Sequence, residues 1–175
     1  MKLLAFFCCF FVALGVELRA EESPVDILII TKTGRDKDEV SSKSAGAGVE
    51  TTNTQTFKAR ITNKSLDPIK NLEVKLYVVG GDNVWKESDK EYEVIKVLEQ
   101  GGIDLGVPGD VEVDMGEVEF KSTQTATSTT LYRGGIVYEG YAAVFLVNGK
   151  EIGTKVFGGK EIKKAFEAFT KKKRS

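Results

Sequence analysis

The stretch TFKARITNKSLDPIKNLEVKLYVVGGD, residues 56–82, decides the fold. Phe57, Ala59 and Ile61 alternate with Lys58, Arg60 and Thr62. A period of two is the mark of a strand with one dry face and one wet face. Asn63-Lys64-Ser65-Leu66-Asp67-Pro68 reads as a turn, and Pro68 removes a ladder donor. Leu72, Val74, Leu76 and Val78 then alternate with Glu73, Lys75 and Tyr77 until Gly80-Gly81-Asp82-Asn83 closes the strand. The pattern predicts an antiparallel pair, with Phe57, Ala59 and Ile61 facing the same core as Leu72, Val74 and Leu76.

Outward from this stretch the chain keeps the same grammar. Upstream, VDILIITKT (25–33) is a β-branched run ending at Gly34, read as a first strand. Residues 34–53 show no apolar period and are expected to form a long mobile loop. Downstream, Tyr92 to Leu98 is strand-like, and Gly101-Gly102 and Val107-Pro108-Gly109-Asp110 are turn signals. Val111, Val113 and Met115 alternate with Glu112 and Asp114. Val118 and Phe120 resume the pattern one residue out of step after Gly116, which predicts a bulge. Lys121 to Thr130 fits either an edge strand or a loop. Ile136 to Val147 and Lys150 to Phe157 flank Asn148-Gly149, the dipeptide that suits a type I′ hairpin turn because both its residues need positive φ. Ala142 to Val147 is apolar on both faces, as a central strand requires. After Gly158-Gly159, Ile162, Ala165, Phe166 and Phe169 recur at helical spacing and predict a short amphipathic helix. About seven strands with turns between them and one terminal helix predict an all-β, antiparallel Ig-like β-sandwich with a short C-terminal helix.

Residues 56–82 resemble a two-strand motif of exported bacterial Ig-like or fibronectin-III-like modules, of which the CARDB and FxLyD domains are examples. Asn63, Ser65, Pro68, Val74, Leu76, Tyr77 and Asp82 carry the likeness. It implies a sandwich fold and export. It brings no shared catalytic residues, and it covers neither the 34–53 segment nor the C-terminal helix.

The N-terminus agrees with export. Lys2 precedes an unbroken apolar run from Leu3 to Val16. That run is shorter than the ~20 residues a helix needs to span a bilayer, and it suits the apolar region of a signal peptide. Cleavage is expected after Ala20, where polar sequence begins; Gly15 is the other point with small residues nearby. Phe6 and Phe7 stand where a lipobox before Cys8 and Cys9 would need small residues. The expected organisation is a signal peptide (1–20), a sandwich (21–159) and a basic helical tail (160–175). Both cysteines lie in the first segment and the chain has no His. The processed chain therefore lacks the usual general base, thiol nucleophile and zinc ligands.

Several groups merit weighing as sites. Asp82, Asn83, Glu87 and Asp89 cluster after one strand, and Asp104, Asp110 and Asp114 near a later turn. Calcium takes six to eight oxygens, yet acidic turn residues are ordinarily turn formers, and no EF-hand spacing is present. Carboxylate-only hydrolysis, as in glycosidases, would need a deep cleft that a chain of 175 residues hardly walls. Trp85, Tyr92, Tyr132, Tyr138 and Tyr141 could make an aromatic platform, or simply core and cross-strand contacts. Asn63-Lys64-Ser65 is a glycosylation sequon that matters only in a eukaryotic source.

The tail carries Lys160, Lys163, Lys164, Lys171, Lys172, Lys173 and Arg174 against Glu161 and Glu167. It could meet an anionic membrane surface, complement the helix dipole or fold onto the acidic body. With a formal net charge of −1, the chain offers no electrostatic case for nucleic acid.

The sequence thus predicts an exported, non-enzymatic module, periplasmic or extracellular. It would act through protein or cell-surface contacts made by residues 34–53, residues 80–91, a strand edge or the tail. No catalytic, cofactor-binding or metal residue is assigned. A carbohydrate-binding accessory module and a small hydrolase using carboxylates are the alternatives.

Overall fold

The computed structural model describes residues 24–42, 46–85, 89–126 and 130–174. The expected signal segment, its cleavage points and Glu87 lie outside the described residues. Seven strands precede one helix: β1 (Val25–Ser42), β2 (Gly46–Asn63), β3 (Ile69–Asp82), β4 (Tyr92–Leu105), β5 (Gly109–Ala126), β6 (Leu131–Val147), β7 (Lys150–Phe157) and α1 (Lys160–Arg174).

The strands form two layers. One runs β1-β2-β5 and the other β4-β3-β6-β7, all neighbours antiparallel. The layers share β6. Its first residues, Leu131–Gly135, pair with Ala126–Ser122 of β5, and from Ile136 onward it pairs with β3 and then β7. The change of partner falls at Gly135, whose φ is 85° and where a Cβ would collide with the Lys121 carbonyl. No other residue type fits that bend without strain.

The inward stripes interlock as alternation dictates. Phe57, Ala59 and Ile61 from β2 and Leu72, Val74, Leu76 and Val78 from β3 are fully buried, joined by Met115, Val118 and Phe120 of β5 and Ala143 and Phe145 of β6. The expected shared core is therefore present, and the all-β sandwich with its terminal helix is the fold. The expected pairing of β2 with β3 is corrected, for they lie in opposite layers and face each other across the core. Alternation reports only which face is dry, and two strands can share a core by stacking as well as by pairing.

The connector makes the corner. Asn63, 6% exposed, donates from Nδ2 to the Asp67 and Gly106 carbonyls at 2.9 Å each. Its Oδ1 accepts from the Ser65 N–H at 2.9 Å and the Ser65 hydroxyl at 2.7 Å. The N-x-S triplet is thus a knot that turns the chain from one layer to the other.

Three further departures concern strand extent. Of the segment 34–53, expected as a loop, residues 34–42 and 46–53 are strand: Gly34 pairs with Thr54, and the ladder continues to Ser42 opposite Gly46. Lys121–Ala126 is an interior strand, flanked by β2 and β6. β4 runs through Gly101-Gly102 to Leu105. Polar strand stretches such as residues 48–54 and 121–126 carry no hydrophobic alternation, so the period cannot reveal them. In β4 the buried Ile103 and Leu105 do alternate, and the Gly101-Gly102 pair before them reads as a turn. The Gly116 bulge and the Asn148-Gly149 turn occur as expected: Phe57 opposes Gly116 while Lys58 opposes Asp114, and Asn148 and Gly149 have φ of 51° and 77°.

Helix α1 lies on the outer face of the four-stranded layer. Ile162 is 2% exposed, and Phe166 and Phe169 meet the Tyr77 ring edge-on at 5.0 and 5.9 Å. The apolar side of the basic tail is therefore turned onto its own sandwich.

Candidate functional site

The candidate site arises where the inward stripe of the three-stranded layer changes character. Along β1 that stripe reads Val25, Ile27, Ile29, then Thr31, Thr33, Arg35. Along β2 it reads Ile61, Ala59, Phe57, then Gln55 and Asn53. Register places Thr33 opposite Gln55 and Val118, and Arg35 opposite Asn53 and Phe120. Two polar rows thus continue the core face beyond the dry core, beside apolar β5 residues.

These rows line an open groove of about 440 Å³, walled by Thr33, Arg35, Asn53, Gln55, Val137 and Tyr138. This falls within the ~300–1,000 Å³ typical of small-ligand sites. Gln55 is only 3% exposed and accepts a 2.7 Å hydrogen bond from the Thr33 hydroxyl through Oε1. Its amide nitrogen has no partner among the described residues. Arg35 donates from Nε to Asn53 Oδ1 at 3.2 Å, which fixes one edge of the guanidinium. Arg35 has no carboxylate partner among the described residues.

Tyr138 enters from β6, wedged edge-on between Phe57 and Phe120 at 5.8 Å from each. Its hydroxyl is buried with no hydrogen-bond partner. Burial of the phenol pushes its pKa up to about 12, with a smaller contribution from Tyr141. A buried hydroxyl left unpaired costs about 1–3 kcal/mol.

Two rows further out on the same face, Arg133 of β6 shares a row with Val49 and Gln124. Its guanidinium stacks 3.8 Å from the centroid of the Trp85 ring, which is 58% exposed. Asn83 ties the Trp85 segment to the β6 bend, donating from its backbone N–H to the Gly135 carbonyl at 2.9 Å and from Nδ2 to the Gly134 carbonyl at 3.3 Å.

The residues weighed from sequence take separate places. Tyr141 is buried and stacks on Phe157 at 5.3 Å, Tyr132 is exposed on β6, and the Lys90 ammonium lies 5.6 Å from the centroid of the Tyr92 ring. The five aromatics form no single platform. Asp104 accepts the Asn71 N–H, Asp110 the Thr62 hydroxyl and Asp114 the Gly116 N–H at the bulge. No three acidic side chains come together as a metal site among the described residues. Glu112 binds Lys58 and Arg60 at 3.3 Å on the outer face, and those cations hold its carboxyl below the usual range.

Of the expected contact segments 34–53 and 80–91, Arg35, Asn53 and Trp85 lie at this end of the sandwich. Arg35, Asn53 and Gln55 were not singled out. Their signal was the spacing Asn53, Gln55, Phe57, a period of two carried on by polar side chains.

Compared with family models, curated proteins and solved structures, the chain matches none of them.

Proposed function

We propose that this protein is a non-enzymatic, exported binding module that works through protein or cell-surface contacts, using the groove at the polar end of its sandwich. The observation that carries this reading is the unsatisfied polar chemistry there. A held guanidinium and the Gln55 amide nitrogen, which has no partner among the described residues, line one concavity on a β scaffold. Preorganised donors lower the ordering cost of binding. Chemistry on a substrate would need a nucleophile or a base of matched pKa, and the lining residues supply neither.

The test is binding of the processed protein to arrays of surface glycans and of peptides, with the double variant Arg35→Ala/Asn53→Ala beside it. Binding lost in that variant supports the reading; retention of all binding removes the groove from it. The carbohydrate-accessory alternative rests on the exposed Trp85, one face of which carries Arg133. It predicts glycan binding lost in Trp85→Ala.

A further inference from the structure

We infer that the groove takes a carboxylate-bearing ligand, with the two terminal nitrogens of Arg35 gripping the carboxylate and the amide nitrogens of Asn53 and Gln55 donating to neighbouring acceptors on the same molecule. This rests on the binding-module reading and names the ligand class for its site. The charge balance of the lining points to an anion: Thr33, Arg35, Asn53, Gln55, Val137 and Tyr138 include one cation and no acid. Asn53 holds the guanidinium by Nε, leaving the Nη pair, whose spacing matches the two oxygens of a carboxylate. The floor adds the Gln55 amide nitrogen, without a partner among the described residues. Donors thus outnumber acceptors on the surface the ligand meets. The open mouth suits a charged end group with a polar body, because the carboxylate keeps part of its hydration while the fork binds it.

Two common sources carry this chemistry, a uronic acid sugar and the free C-terminus of a peptide. The experiment follows backbone and side-chain amide resonances of the processed protein by NMR. It titrates digalacturonate against its dimethyl ester, and trialanine against trialanine amide. The expected result is movement of the Asn53 and Gln55 side-chain resonances with one acid, at least tenfold weaker binding of its neutral partner, and at least tenfold weaker binding in Arg35→Ala. Arg35→Lys is expected to recover only part of the affinity, because an ammonium is a point charge and not a fork. Arg35 is exposed, so its variants are expected to fold, and unchanged resonances of Leu72 to Val78 would verify it.

The arm that responds identifies the source. If neutral and acidic probes move the groove equally, and Arg35→Ala changes nothing, the carboxylate assignment is overturned while the binding module stands. If no probe moves these resonances, the carboxylate assignment also falls, and the array measurement decides separately whether the module binds anything there.

Discussion

Lys155 Nζ lies 2.6 Å from Asp26 Oδ1, joining the edge strand of one layer to the edge strand of the other. The same ammonium donates to the Ile27 carbonyl at 2.9 Å, and Lys64 approaches Asp26 at 3.2 Å. The opposite seam is closed in the same manner, where Lys96 of β4 donates to the Glu117 carbonyl of β5 at 3.1 Å. Charged side chains that reach across exposed edges also discourage pairing with other chains.

The first prediction concerns acid. Hydrogen bonds from Lys155 and Lys64, with the charges of both, lower the Asp26 pKa from 3.8 to about 2. A carboxyl with a depressed folded pKa adds stability above its unfolded pKa and loses it as pH falls through the folded one. The contribution is expected to be complete above pH ~4 and gone near pH 2, on the ordinary Asp value. Urea titrations across that interval should show a steeper loss in the wild type than in Asp26→Asn. Equal slopes would show that the seam pair does not matter for stability.

The second prediction concerns the corner. Asn63→Ala removes two donated and two accepted hydrogen bonds and leaves the Asp67 and Gly106 carbonyls without that partner. Each such hydrogen bond contributes about 0.5–1.5 kcal/mol net, so with four removed a loss of about 3 kcal/mol is expected by chemical denaturation. A loss under about 1 kcal/mol would mean that solvent replaces the knot.

The third prediction concerns the helix. Ile162→Ala should cost about 2–4 kcal/mol of docking, as for other buried large-to-small changes. Gly158→Ala should act in the same direction, since φ there is 123° and an added Cβ would come within 2.6 Å of the Ile162 side chain. Limited proteolysis within residues 160–174 should accelerate in both variants. Unchanged protection would refute the docking role of Ile162.

The fourth prediction concerns Tyr138. Tyr138→Phe deletes a hydroxyl that has no partner, so stability is expected to hold or rise by about 1 kcal/mol. A phenol whose folded pKa is raised keeps its contribution below the unfolded value near 10 and loses it as pH climbs through about 12. Alkaline unfolding between those values should therefore be milder in the Phe variant. A variant less stable at neutral pH would indicate that the hydroxyl is paired after all.

Much of this architecture was legible wherever one face of a strand was dry. Phe57, Ala59 and Ile61 announced a strand, Asn148-Gly149 a tight turn, the slip at Gly116 a bulge and the Ile162–Phe169 spacing a helix. The groove was not legible for the reason that makes it a groove. At Thr33, Arg35, Asn53 and Gln55 the inward stripe turns polar, so hydrophobic alternation stops while the backbone ladder goes on. What remained was β-branching in TTNTQT (51–56), a weak indicator by itself. The stacking of β2 on β3 was illegible for a different reason, because register and layer are set by partners far along the chain.

Strand β6 belongs to both layers, and it follows β1 to β5 along the chain. Until residues 131–147 leave the ribosome, the four-stranded layer lacks its centre and β5 lacks its outer neighbour. Strands β1 to β5 must therefore wait with apolar faces unburied, and their assembly is expected to complete in one concerted event once β6 is present. The strand that joins the layers is thus also the one whose arrival lets the first five set.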